Sequence, residues 1–521
     1  YLIIGNNLYK PVFYFITVSF INSKKKKTKM FAKDFSHLYS DECNRRNQDK
    51  LSALFAYAQR KDVTFLGNGL PESKYFPWQS VSGTCPAPPF ANGIESCDKS
   101  TDTFSFQTMK NDNSNSKLGT CGDSSFNLAR GLQYQAIEGQ PAVLDFIREH
   151  LKIIHKVGTH YQDWDAILSI GNCQAFDAII RTFCNVGDFI LAEEYSFSAT
   201  INAAKAQGIK PVSLKMDDHG IIPEYLIELL DNWPTDLKKP KLLYTIPTGQ
   251  NPLSYSLSTE RKKIIYEVLQ KHDILIVEDE PYYFLQTGDY VPKNERAAIK
   301  FNSHQEFIDS LATSFLSLDN DGRVLRMESY SKVLAPGIRL GFIAGSSAIL
   351  KKISAYHLMS IMAPSGFSQT FLNELLNSWK QTGYLDWLIG LRHEYTLKRD
   401  GALDCLLELI PKELIENDVV RVSPPVAGMF FTVEVNAKKH SKFNGDKNAV
   451  EDYINEKFIE EGVIVAPGSW FAVGNPEEIK DIISNEDDGY IFYRMTFAAS
   501  ELPIIQEGIA KIANVIKSEF K

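Results

Sequence analysis

At 521 residues the chain is too long for one ordinary core, so two lobes, one large and one smaller, are expected. Hydrophobic residues at 44% and charged residues at 23%, with 23 Tyr and 32 Phe to fill a core, exclude a mostly disordered chain. A net charge of −8 excludes a general binder of nucleic acid or anionic membrane; small molecules are the expected partners, and a local basic pocket can still hold a phosphate.

The first apolar run, PVFYFITVSFIN, precedes KKKK, the reverse of a secretory signal, and is too short and interrupted to cross a bilayer as a helix. Because the sequence opens at Tyr1 and its first methionine is Met30, the natural protein is expected to begin at Met30. Residues 1–29 are then a non-native or disordered extension, with a short membrane tail as the alternative. Residues 30–80 are expected to form an N-terminal arm and part of the smaller domain. They include a helical pattern over 52–60 and a short strand entering a glycine-rich turn over 63–71. Residues 81–125 are rich in Pro, Gly, Ser, Asn, Asp and Cys without periodicity and read as an irregular insertion.

From 126 to 380 strand and helix patterns alternate. PAVLDFIREHLKIIH (141–155) predicts an amphipathic helix, DAILSI (165–170) a strand, CQAFDAIIRTFC (173–184) a helix and DFILAEE (188–194) a strand. KLLYTIP (241–247) is a strand, 258–272 a helix capped by Ser258, and DILIVEDEP (273–281) another strand. This alternation predicts an α/β domain with a mainly parallel sheet, whose ligands bind at the carboxyl ends of the strands. Residues 381–521 carry long charged helices and strands at 428–435 and 490–497, which predict a smaller α+β domain. The seven cysteines (43, 85, 97, 121, 173, 184, 405) show no CxxC spacing and no companion histidines, so neither a metal site nor a disulfide framework is expected.

Three polar clusters fall where strands end: TIPTGQNP (245–252), VEDEPYYF (277–284) and SYSKVLAPGIRLG (329–341). They offer an amide, a carboxylate, a phenol, a lysine between hydroxyls and an arginine. A pyridine aldehyde phosphate needs those functions: an amine for a Schiff base, a carboxylate for the ring nitrogen, donors for the ring oxygen, and hydroxyls plus a cation for the phosphate. Taken singly each residue has a blander explanation, as a turn former, an ion pair or core. Lys332 is the exception, because an ammonium in an apolar segment needs a partner or a chemical use. GFIAGSS (341–347) as a nucleotide phosphate loop lacks the required Gly-Lys-Ser/Thr.

With these motifs the chain resembles the fold-type I pyridoxal-phosphate aminotransferases, in particular the fungal aromatic amino acid and 2-aminoadipate enzymes related to kynurenine aminotransferase II. YTIPTGQNP, IVEDEPYYFLQ, SYSKVLAPGIRLG, GYLDWLIGLRHEYTLKRD and PGSWF carry the resemblance. It implies a seven-stranded, mainly parallel sheet in the large domain and pyridoxal 5'-phosphate as cofactor. Lys332 would be the Schiff-base lysine and Asp279 the partner of the ring nitrogen, with Asn251 and Tyr282 donating to the ring oxygen. Ser329, Ser331 and Arg339 would hold the phosphate, joined by donors near Asn172 and Cys173 at a helix start. Arg494 would pair with the substrate α-carboxylate, aided by Asn251, and Phe197 would stack on the ring. Tyr134 would reach the phosphate of a second subunit, implying a homodimer with shared sites, and Gly69 and Leu70 would border the substrate pocket.

The same resemblance implies a cytoplasmic enzyme passing the amino group of an aromatic amino acid to a 2-oxo acid such as 2-oxoglutarate, with 2-aminoadipate or kynurenine as the alternative main donor. Two departures bear on this. Asn172 and Cys173 stand where relatives often have Ser-Gln or Thr-Asn, and Gln48, Asp49 and Lys50 replace a Pro-Ser-Pro stretch. A following basic residue that helps relatives select the side chain has no match. A lyase or decarboxylase using the same cofactor, and a non-catalytic descendant, are the other classes.

Overall fold

The structure is a computed structural model that describes residues 30–46, 69–90, 93–94, 102–110, 127–297, 300–482 and 488–520. The extension 1–29, the helix at 52–60, most of the 63–71 strand and Gln48, Asp49 and Lys50 lie outside the described residues.

Seven strands form the main sheet: β1 (Trp164–Ser169), β2 (Phe189–Glu193), β3 (Lys210–Leu214), β4 (Leu242–Thr245), β5 (Leu275–Asp279), β6 (Val324–Ser329) and β7 (Gly341–Ser346). Their order is β1-β7-β6-β5-β4-β2-β3, and only β7 runs antiparallel to its neighbours. This is the mainly parallel sheet expected. The predicted helix at 141–155 is present as Pro141–His155, started by a proline in its first turn, and Ser258 caps Thr259–Lys271 by accepting from Arg261 N.

Alternation along each strand feeds two cores. Leu168, Leu191, Leu243 and Ile276 face one, with the helix Pro141–His155; Ile167, Ile190, Leu242, Leu275 and Val277 face the other, with α1 (Asn172–Phe183). That parity sends Asp279 toward α1 and its neighbours Glu278 and Glu280 to the opposite side.

A second, antiparallel sheet has the order β8 (Val420–Arg421), β9 (Phe430–Asn436), β11 (Tyr490–Thr496), β10 (Ala466–Pro467). Its core includes residues of Lys447–Glu460 and Leu502–Glu519. One helix, α2 (Gly366–Leu409), serves both bodies: Tyr384, Leu385 and Leu388 pack in the main core, Ala402 and Leu406 in the smaller one. The helical conformation breaks at Lys380, with φ 56° and ψ −175°, close to the expected boundary of 380/381. The hand-over between cores nevertheless lies further on, between Leu388 and Ala402.

Two more expectations are corrected. The insertion 81–125 is not wholly irregular, because Ser80–Pro86 pairs antiparallel with Thr103–Met109. The pair is held by α2, through Phe106 edge-on to Phe371 at 5.5 Å and Trp379 Nε1 donating to Pro86 O at 2.8 Å, contacts that local composition does not announce. Residues 30–46 belong with the large body: Phe35 is buried in its core, Lys33 N donates to Asp321 O and Ser40 N to Thr182 O.

Candidate active site

Between the antiparallel neighbours β6 and β7 the chain makes an excursion that begins at Ser329, paired with Gly341. Lys332 lies in it, half-buried, and among the described residues no hydrogen bond or ion pair engages its ammonium. Burial, then the charges of Arg339 and Arg494, hold its pKa below the usual lysine value. An amine so placed is more readily neutral and nucleophilic.

The same excursion folds back on itself. Ser329 Oγ donates to Ser331 Oγ at 2.8 Å, and Arg339, in left-handed conformation at φ 50°, donates through Nη1 to Ser331 Oγ at 3.3 Å. Its Nη2 donates to Ile170 O at 2.9 Å, just before α1. Gly171 has φ 104°, and a Cβ there would strike that guanidinium, so glycine is needed both for the backbone and for the arginine's seat. No side chain caps α1, which leaves its first N–H groups facing this arginine and the two serines. A hydroxyl pair, a guanidinium and an open helix start make an anion cradle.

Deeper in, Asp279 ends β5, buried. Tyr244 Oη donates to its Oδ2 at 2.7 Å and Asn172 Nδ2 to its Oδ1 at 2.6 Å. Among the described residues no cation pairs with it. Burial pushes its pKa up to about 6, against the two hydrogen bonds. Asn172 thus spends its side chain on Asp279 and Met327 O, leaving only its backbone for the cradle, and its Oδ1 is buried without a partner.

On the other wall Asn251, buried, accepts from Arg494 Nη1 at 2.6 Å through Oδ1, which leaves its Nδ2 to donate elsewhere. The Arg494 guanidinium lies over the rings of Phe430 and Phe471, 4.1 and 4.7 Å from their centroids. Gly249 brings the Asn251 turn against the backbone of Gly428, so the two bodies meet without intervening side chains. Tyr282 is buried with its ring edge-on to Phe430 at 5.9 Å; burial and then the charge of Asp279 raise its pKa, while the charge of Arg494 lowers it. Lysine, carboxylate, amide, phenol and two arginines therefore converge at the carboxyl ends of β4, β5 and β6.

Residues 129–486 match the family model described as aminotransferase class I and II. The chain belongs to that aminotransferase family. It is 37% identical to an aromatic amino acid aminotransferase of Schizosaccharomyces pombe, over 94% of this chain and 99% of the relative. It is 32% identical to an L-tyrosine:2-oxoglutarate aminotransferase of Serpula lacrymans, over 88% of this chain and 87% of the relative. Among solved structures, the aminotransferase Aro8 from Candida albicans superposes with a TM-score of 0.87 at 44% identity, covering 94% of this chain and all of that one. The fold is accordingly the fold-type I architecture of this enzyme class.

The remaining expected residues are Phe197, Cys173, Tyr134, Gly69 and Leu70. Phe197 precedes the helix Ser198–Ala206, half-buried against the core, and Cys173 is exposed on the first turn of α1. Tyr134 is 57% exposed, Gly69 is exposed and Leu70 half-exposed. Tyr244 escapes sequence reasoning because, inside KLLYTIP, it reads as core. Its signal is parity: within one strand it shares the face of Leu242.

Proposed function

We propose that the chain is a pyridoxal 5'-phosphate-dependent aminotransferase that takes aromatic amino acids as donors and a 2-oxo acid such as 2-oxoglutarate as acceptor. The observation that carries the cofactor is Asp279, a buried carboxylate that among the described residues has two neutral donors and no cation, in a site that also holds a lysine with no partner among them. A protonated pyridine nitrogen is the cation that fits. The named activities of the fungal relatives support the substrate class.

In this reading the first turn of α1, Ser329, Ser331 and Arg339 hold the phosphate, and Phe197 stacks on the ring. Asn251 Nδ2 and the Tyr282 hydroxyl donate to the ring oxygen, while Tyr244 and Asn172 keep Asp279 aimed at the ring nitrogen. When bound, the cofactor supplies an aldehyde carbon that takes up the amino group and a ring that draws off the charge left at Cα. Arg494 grips the substrate carboxylate with its planar fork, steadied by Asn251 and the two phenylalanines. Lys332 Nζ, as a free amine, would remove the substrate Cα proton as general base and return a proton as general acid. The two half-reactions share this site in a ping-pong sequence.

Tyr134, exposed on its own subunit, suits a role at the phosphate of a second copy, so we place the enzyme as a homodimer with sites at the interface. Five unpaired cysteines among the described residues suit a reducing compartment, and we place the enzyme in the cytoplasm; among the same residues no helix is long and apolar enough to cross a membrane. The test is purified protein with pyridoxal 5'-phosphate, 2-oxoglutarate and a donor panel of phenylalanine, tyrosine, tryptophan, kynurenine and 2-aminoadipate. Glutamate should form one-for-one with the new 2-oxo acid, fastest from the aromatic donors; product without glutamate would indicate a lyase or decarboxylase. Lys332→Ala should abolish both turnover and the lysine-dependent visible absorbance, and retention of both would remove the cofactor reading.

A further inference from the structure

Glu193, the last residue of β2, is fully buried, and among the described residues no cation pairs with it. Its carboxylate is instead held by one short stretch of chain. Thr245 Oγ1 donates to Oε1 at 2.5 Å, Ile246 N to Oε1 at 3.0 Å and to Oε2 at 3.3 Å, and Gln250 Nε2 to Oε2 at 3.2 Å. Gln250 is then locked on its other sides, donating to Tyr195 O at 2.7 Å and accepting from Leu253 N at 2.9 Å. The next residue is Asn251. A buried carboxylate is costly, and one made to collect three donors from a single turn sets the position of that turn.

We propose that Glu193 is a positioning residue for the reaction: through Thr245, Ile246 and Gln250 it fixes the turn that carries Asn251. It thereby sets both the ring-oxygen donor and the groove in which Arg494 meets the substrate carboxylate. The bond from Gln250 Nε2 to Tyr195 O anchors the far side of the same turn. The inference rests on the cofactor reading above. It goes beyond it by assigning a role to a residue that faces neither ring nor substrate.

The test uses holoenzyme and the pH midpoint of the lysine-dependent visible absorbance, which responds to hydrogen bonding at the ring oxygen. Asn251→Ala sets the reference shift. Glu193→Gln keeps the volume and one acceptor oxygen but turns an NH2 toward the Gln250 NH2. It should move the midpoint in the same direction as Asn251→Ala, by about one pH unit, and lower kcat/KM about tenfold. The double variant Glu193→Gln/Asn251→Ala should match Asn251→Ala alone, because both act at one point. Should Glu193→Gln not fold, Gln250→Met cuts the same link and must give the same shift and the same non-additivity. A lowered Tm with a wild-type midpoint, or shifts that simply add, would overturn the proposal as a purely structural role. A reference variant with an unmoved midpoint would overturn it through Asn251. Absence of the absorbance in the wild type would instead overturn the cofactor reading, and this proposal with it.

Discussion

Asp279 and Glu328 lie on neighbouring strands of one sheet, both buried, and face opposite sides of it. On the Glu328 side the protein supplies its own cation. Arg326, with no exposed surface, donates through Nε to Glu328 at 2.6 Å, and its Nη1 sits 3.0 Å from Glu278 by proximity rather than hydrogen-bond alignment. The Tyr283 ring covers it at 4.4 Å, and His155 approaches Glu328 at 3.2 Å. Burial alone would raise Glu328, yet the Arg326 charge holds it down at about 2. On the Asp279 side burial wins and the carboxyl rises to about 6. The same chemistry thus serves two ends: one carboxylate is completed by the fold, and the other, among the described residues, is given no cation.

The strongest way to break this contrast is to remove the cation from the completed side. Arg326→Leu leaves Glu278 and Glu328 uncompensated and should cost roughly 3–5 kcal/mol of stability, read by denaturant unfolding; a loss below ~1 kcal/mol would mean the back-face cluster is decorative. Asp279→Asn probes the incomplete side and should lower kcat/KM on the order of 10^3-fold while leaving the cofactor-free protein folded. Near-normal activity in that variant would show that nothing cationic meets Asp279.

The pH dependence sharpens the same point. Because the folded-state pKa of Asp279, about 6, exceeds the ordinary 3.8, the folded cofactor-free protein binds the extra proton. Its stabilising contribution is complete below pH 3.8 and lost as pH rises through about 6, about 3 kcal/mol in all. The stability difference between wild type and Asp279→Asn should change by most of that amount between pH 4 and 6.5, and a flat difference would contradict the assignment. Glu328 acts with the opposite sign, its contribution present above about 4.5 and lost as pH falls through about 2. The smallest effect expected is that of Arg494→Ala: KM for amino acid and oxo acid should both rise about 30-fold, or about 2 kcal/mol, with kcat less affected. The pH slope from Asp279 should persist, and its disappearance would make Arg494 that carboxylate's cation.

Periodicity made the α/β layering between 141 and 279 legible, because the strands there are short apolar runs between amphipathic helices. The site was legible where polar residues interrupt strand ends, as at Asn251, Asp279 and Lys332. What stayed hidden depends on contacts across the chain. Tyr244 looks like core until its hydroxyl is seen to reach Asp279, and the strand pair at 80–109 owes its order to α2. The back-face cluster was half-visible: period-two alternation in VEDEP already separates Glu278 and Glu280 from Asp279, but their partner Arg326 lies 48 residues beyond Glu278.

The helix α2, which leaves one core and enters the other without a loop, makes rotational phase a property of the molecule. Each residue advances an α-helix by about 100°, so a single insertion between Leu388 and Ala402 would turn the smaller body by about that angle relative to the larger. Arg494 would swing away from Asn251 although neither residue had changed. Substitutions along this stretch can be absorbed locally, whereas a change in its length is read out at the substrate carboxylate.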